Sequence, residues 1–165
     1  MKLAIISGTT ASGGGPRHIY SLLEKIDRKD WDIMVCTHND GSYWNKLIAL
    51  GITPHDLVLR KLSLSALFKL LNILRKEKPD LIHTHGKGPG LYGRLLGWML
   101  GIPVVHTFHG FQHKLLPVVQ RWFYLFVENV LTLLTRHHIF VGNGEKNKAK
   151  VLMFLNDSNS SVVNN

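Results

Sequence analysis

PDLIHTHGKGPGLYGRLLGWMLGIPVVHTFHGF, residues Pro79 to Phe111, decides the fold. It reads as strand, glycine-rich turn, helix, strand. Leu81-Ile82 and Val104-Val105 are short apolar runs of the kind that fill a parallel sheet covered on both faces. Each run passes into a polar, histidine-bearing segment: His83-Thr84-His85 in one case, His106-Thr107-Phe108-His109-Gly110 in the other. In open α/β sheets ligands sit outside the carboxyl ends of the strands. Both histidine sets are therefore candidates for chemistry. The intervening helix, Leu91 to Leu100, carries Gly93 and Gly97. Small residues four apart let a helix pack closely on its neighbour. A membrane-dimer reading of that spacing fails, because the apolar stretch is short and holds Arg94.

Working outward, Lys2 to Ser7 reads as a buried strand, and Gly8 to Gly15 as a loop of Gly, Ser and Thr. A helix is expected to open near Pro16, where a missing N–H costs nothing. Strand, glycine loop and helix N-terminus together present bare amides and a favourable dipole to an anion. The fragment Gly13-Gly14-Gly15-Pro16-Arg17-His18 matches neither the Walker pattern nor GxGxxG. Trp31 to Thr37 is a second strand, Tyr43 to Leu50 a short helix closed by Gly51, and Leu57 to Leu59 a third strand. Leu62 to Lys78 is amphipathic, with Leu64, Leu67, Phe68, Leu71 and Leu74 on one face. Pro54, Pro79 and Pro103 each announce a strand after a helix, the alternation of a parallel sheet built from βαβ units.

Pro117 to Thr135 is a helix whose polar stripe is Gln120, Arg121, Tyr124, Glu128, Thr132 and Thr135. Its apolar arc, with Trp122, Phe123, Phe126, Leu131, Leu133 and Leu134, is wider than one sheet contact needs. A helix buried between layers is expected; the alternative is that part of the arc, with Lys114 and Arg121, touches a membrane surface. Ile139 to Val141 is the sixth strand and Glu145 to Phe154 a basic helix. Residues 1–155 form one domain on this reading. The tail, residues 156–165 (NDSNSSVVNN), is polar, of low complexity and expected to be disordered.

Composition sets the outer limits. The 165 residues are 45% hydrophobic and 19% charged, which fits one globular domain with a substantial core. The net charge is +9, and no acidic residue lies between Asp80 and Glu128. That interval carries Lys87, Arg94, Lys114 and Arg121, a basic surface able to attract phosphates, anionic lipid or nucleic acid. Nucleic acid is the poorest of these, for there is no basic stripe interleaved with aromatics and no known module. The single cysteine, Cys36, lies in an apolar run and reads as a core residue. The N-terminus resembles a first strand more than a signal peptide, and no apolar span reaches membrane-crossing length. A cytoplasmic protein is expected.

PDLIHTHG followed by GLYGRLLGWMLGIPVVHTFHGF resembles the N-terminal half of a GT-B glycosyltransferase of family 4, the retaining enzymes that build bacterial surface polysaccharides. Gly14-Gly15-Pro16-Arg17-His18-Ile19 is similar to the family's Gly-Gly loop, and the segment Ile139 to Lys146 to its last strand-to-helix passage. Two positions depart: the family commonly has serine where Gly142 stands and aspartate where His138 stands. The resemblance implies a single Rossmann-like, doubly wound α/β domain on the acceptor side of the enzyme. It implies a nucleotide-sugar co-substrate without a metal cofactor, a glycan acceptor that is surface-polysaccharide or lipid-linked, and a separate C-terminal domain that grips the donor. Gly14 and Gly15 would place amides on the donor diphosphate, and His109 matches the histidine near the transferred sugar. His85, Gly86, Gly110 and Arg17 are candidate acceptor or cleft residues. A half-domain that instead binds a partner subunit or the inner membrane surface is the alternative.

The histidines have rival readings. Imidazole is a good zinc ligand, but no cysteine or acid within Asp80–Glu128 completes a site, so no metal is expected. His83 and His106 are expected to be structural, partly buried and hydrogen-bonded to backbone. His109 is the residue expected to do chemistry.

Overall fold

The computed structural model describes residues 1–110, 117–153 and 155–164. Strands and helices alternate: β1 (Lys2–Ile6), α1 (Gly14–Lys25), β2 (Asp32–Thr37), α2 (Tyr43–Ala49), β3 (His55–Asp56), α3 (Leu64–Glu77), β4 (Leu81–His85), α4 (Lys87–Leu100), β5 (Val104–Phe108), α5 (Val118–Leu133), β6 (His137–Phe140), α6 (Asn143–Leu152) and β7 (Ser160–Val162). The strands form one parallel sheet in the order β3-β2-β1-β4-β5-β6-β7. This is the doubly wound α/β sheet expected from the sequence.

Period-2 alternation divides the core. Ala4 and Ile6 of β1 join Met34, Ile82 and Val104 under α3 and α4, where Leu70, Leu74 and Leu96 are buried. Leu3 and Ile5 point the other way, with Val35, against Ile19 and Leu23 of α1 and Leu47 of α2. Burying each such leucine or isoleucine is worth about 1.5–3 kcal/mol. A third cluster sets Phe108 and Phe140 against Leu125 of α5 and Ala149 of α6.

The close approach expected of Gly93 and Gly97 is realised on β4 and β5. A Cβ at Gly93 would stand 2.3 Å from Thr84 Cγ2, and one at Gly97 2.3 Å from Val104 Cγ2. The helix also begins at Lys87, earlier than expected, because Pro89 sits in a first turn that needs no N–H from it. Strand β3 lies at His55–Asp56, not at Leu57–Leu59. The Leu57 N–H still bonds Thr37 O at 2.9 Å, but Leu57 and Leu59 then dive into the core.

Two expectations are corrected. Residues 156–164 carry regular structure: a 3₁₀ turn at Asp157–Asn159 leads into β7, paired to β6 from Ser160↔His138 to Val162↔Phe140. The strand is held by ladder bonds and by Lys146 Nζ on Ser160 O (3.0 Å), which polar composition does not reveal. Second, α5 is not buried between layers. Its polar stripe turns inward, with Glu128, Thr132 and Thr135 buried, while Trp122, Phe123, Phe126 and Leu133 are 66–73% exposed.

The cause is Arg94. Expected on a basic surface, it is fully buried on α4, its Nε donating to Gly90 O (2.9 Å) and its Nη2 to Glu128 Oε2 (2.9 Å). A desolvated guanidinium needs a carboxylate, and α5 must rotate to supply it. Lys114, Phe111 and the helix end at Phe154 fall outside the described residues.

Removing one member of this pair strands a buried charge. Arg94→Met alone is expected to cost about 3–5 kcal/mol in urea denaturation, with most of that recovered in Arg94→Met/Glu128→Leu. Additive losses would show that the pair is not coupled.

Candidate active site

The sheet order reverses between β1 and β4, and in such sheets the crevice at the reversal is where ligands bind. Here a cleft of about 330 Å³ opens there. Its walls come from the exit of β1 (Ser7, Gly8, Thr9), the first turns of α1 (Gly15, Pro16) and the passage from β4 into α4 (His85, Gly86, Lys87). Gly88, Pro89, Arg60 and His109 also line it.

Register decides which histidines meet. His85 pairs with Thr107 across β4 and β5, and Thr84 with His106. His83 and His85 remain on one face because the strand stays regular, with ring centroids 4.2 Å apart. His109 follows on that face, its ring 5.3 Å from His85 and its Nε2 3.0 Å from His85 Nδ1. His18 of α1 closes the group, 5.5 Å from His109 and 5.8 Å from His85 between ring centres. His106 looks to the opposite face, where Gly90 leaves room for its ring; a Cβ there would lie 2.5 Å from His106 Cε1. Both inner histidines bond threonine hydroxyls rather than the backbone expected of them: His83 Nε2 to Thr107 Oγ1 and His106 Nδ1 to Thr84 Oγ1, each at 2.7 Å.

Burial keeps these rings uncharged. It pushes His109 down to about 4 and His83 to about 3, with the nearby His18 adding to both shifts. His85 and His106 lie well below the ordinary 6.5 for the same first reason. A neutral imidazole offers one N–H and one lone pair. One bond joins His85 to His109, and among the described residues His85 Nε2 and His109 Nδ1 are buried with no hydrogen-bond partner. Between them, the two rings can offer a polar ligand a donor at one nitrogen and an acceptor at the other. Among the described residues, no group of three His, Cys, Asp or Glu side chains is disposed to hold a metal ion.

Of the residues singled out from sequence, Gly15, His85, Gly86 and His109 line the cleft. A Cβ on Gly15 would stand 3.6 Å from the His109 ring. Gly14 and Arg17 are exposed on the first turn of α1 and are not among its lining residues. Gly86 (φ 81°) and Gly110 (φ 118°) are turn residues in the left-handed region, where a side chain would be strained. Sequence reasoning missed His18, Arg60 and Lys87 as cleft neighbours. His18 had a signal, since it sits in the loop-to-helix fragment that faces the β5 exit.

Comparison with known proteins places the chain. The model of Glycosyltransferase Family 4 matches residues 12–165, and the protein belongs to that family. It is 32% identical over 151 residues to the Escherichia coli UDP-Gal:alpha-D-GlcNAc-diphosphoundecaprenol alpha-1,3-galactosyltransferase, covering 84% of this chain and 38% of that protein. Its fold matches Anabaena Alr3699/HepE in complex with UDP (TM-score 0.77, 16% identity, 100% of this chain and 44% of that one). It also matches the lipopolysaccharide outer core galactosyltransferase WaaB (TM-score 0.68, 16% identity, 100% and 46%). The chain thus spans less than half the length of these proteins and corresponds to the N-terminal half of the GT-B fold.

The depressed histidines make stability depend on pH. The unfolded chain takes up protons near 6.5, whereas the folded rings resist until about 4 or below. Their contribution is complete above pH 6.5 and is lost as pH falls through that window. The urea midpoint is expected to drop steadily from pH 7 to 4.5; an unchanged midpoint would mean the rings are solvated.

Proposed function

We propose that the chain is the acceptor-side half of a glycosyltransferase that moves a hexosyl group from a nucleotide sugar to a lipid-linked glycan. A second domain would hold most of the donor. The carrying observation is the uncharged His109, set against the Gly15 backbone at the sheet's reversal point, in a chain of family 4. A neutral ring there can hydrogen-bond a sugar hydroxyl and orient it without holding a charge beside the reacting carbon. The amides of Gly14 and Gly15 would meet the diphosphate, with Arg17 nearby on the same turn as a screening cation. The bond from the sugar's C1 to the diphosphate breaks, the acceptor hydroxyl oxygen forms the new bond to C1, and its proton passes to the departing phosphate. Retention of configuration, and a lipid diphosphate acceptor of the kind in the Escherichia coli relative's name, belong to this proposal.

One observation favours a second reading, attachment to a membrane or partner by a non-catalytic half-domain. Trp122, Phe123 and Phe126 lie exposed on α5, with Arg121 beside them. Such a face suits the boundary between headgroups and acyl chains. Among the described residues no helix is long and apolar enough to cross a membrane, so the contact would be peripheral.

A transfer assay separates the readings. With a nucleotide-binding second domain joined to the chain, sugar transfer is expected, and His109→Ala is expected to lower kcat about 10²-fold or more. Vesicle binding without transfer from any nucleotide sugar would support the second reading. Turnover of His109→Ala close to the parent would remove the histidine's role.

A further inference from the structure

His85 and His109 stand at neighbouring strand exits, but their rings are held in different ways. His85 is the last residue of β4, paired with Thr107 of β5 and 4% exposed. The N–H of the next residue, Gly86, bonds Thr107 O at 3.3 Å. The His85 ring has the ring of His83 4.2 Å away and that of His18 5.8 Å away, centre to centre. His83 is itself fixed by its 2.7 Å bond to the Thr107 hydroxyl. His109 lies beyond Phe108, the last residue of β5, so no strand pairing fixes it. The 3.0 Å contact of its Nε2 with His85 Nδ1 is the one hydrogen bond its ring makes among the described residues.

That bond couples the two tautomers. A neutral imidazole carries one N–H and one lone pair, and burial keeps both rings neutral. If His85 donates from Nδ1, His109 Nε2 is the lone pair and the His109 proton is on Nδ1. If His109 donates from Nε2, His85 Nδ1 is the lone pair and the His85 proton is on Nε2. Both rings therefore carry the proton on the nitrogen of the same name, and neither changes without the other. A change in one ring alone would set two N–H groups, or two lone pairs, against each other at 3.0 Å. The remaining nitrogens, His85 Nε2 and His109 Nδ1, are buried and without a partner among the described residues. Whenever one of them is a donor, the other is an acceptor.

Resting on the glycosyltransferase reading and deepening it, the geometry points to His85 as a positioning residue, which fixes the tautomer and ring orientation of His109 through their shared bond. On that reading His109 meets the sugar, and His85 acts through it. The strand holds His85, and His85 holds the ring that strand pairing does not reach. Without the bond, His109 could turn either nitrogen forward and carry its proton on either one. With it, the two rings together present one donor and one acceptor. A hydroxyl suits that pair, because it both donates and accepts. A phosphate oxygen only accepts and an ammonium only donates, so each would leave one buried nitrogen unpaired.

The test is long-range proton–nitrogen NMR of the imidazole rings in the 165-residue chain, near neutral pH and without donor or second domain. His85 and His109 are each expected as a single neutral tautomer, the same in both rings. His85→Phe fills similar space without the bond, and there His109 is expected to become a mixture of tautomers. His85→Asn, whose amide stands close to where Nδ1 stood, is expected to restore a single one. A thermal melt close to the parent's shows that a variant is folded, and if the phenylalanine variant is not, the parent's own tautomers decide the coupling. Opposite tautomers in the two parent rings, or unchanged His109 nitrogen shifts in folded His85→Phe, would overturn the proposal. In the chain joined to a nucleotide-binding domain, His85→Phe is expected to lower kcat about tenfold or more with KM little changed, and His85→Asn to recover most of the loss. Parent-like turnover of His85→Phe would reject the positioning role alone. Coupled tautomers without transfer from any nucleotide sugar would reject the glycosyltransferase reading alone.

Discussion

A single buried ion pair sets how α5 packs against α4. Arg94 is enclosed completely on α4, and Glu128 on α5 is the carboxylate that answers it. Leaving either charge alone in that interior costs several kcal/mol, so the rotation of α5 about its own axis is not free. Glu128, Thr132 and Thr135 turn to the core, and the helix's aromatic residues are left outside. The same constraint explains Gly90, whose carbonyl accepts from Arg94 and whose missing side chain admits His106.

The chemistry of the histidine cleft depends on strand register. Parallel pairing of β1, β4 and β5 puts His83, His85 and Thr107 on one face, and His109 continues it. Burial then selects the uncharged imidazole over the cation. Such a group binds hydroxyls well and phosphates poorly. The cations Arg60 and Lys87 lie apart on the cleft wall, as do the backbone amides at the start of α1.

Much of the fold was legible in the sequence because the signals were local. Apolar runs in Leu81-Ile82 and Val104-Val105, prolines before the strands, and the stripe of α3 each state their element within a few residues. His85 and His109 were legible for the same reason: strand exits are where α/β sheets keep their sites. What escaped needed partners distant in sequence. The outward face of α5 follows from Arg94, 34 residues from Glu128 in sequence, and hydrophobic patterning alone argues for the opposite orientation. β7 escaped because backbone ladder bonds, not apolar side chains, hold Ser160–Val162 to β6. Arg60 carried no signal of its own and Lys87 read only as part of a basic surface, because their meeting at the cleft depends on how the loop before α3 packs on α4.

The central claim is that this domain supplies one wall of a sugar-transfer site whose other wall belongs to a nucleotide-binding domain. The most direct measurement is a crystal structure of the chain joined to such a domain and bound to UDP. The account predicts the diphosphate between the two domains, within hydrogen-bond reach of the amides at Gly14 and Gly15, with the His109 ring facing the terminal phosphate across the space for one sugar. A diphosphate bound away from the β1–β4 crevice, or a His109 ring still enclosed and remote from it, would contradict the account.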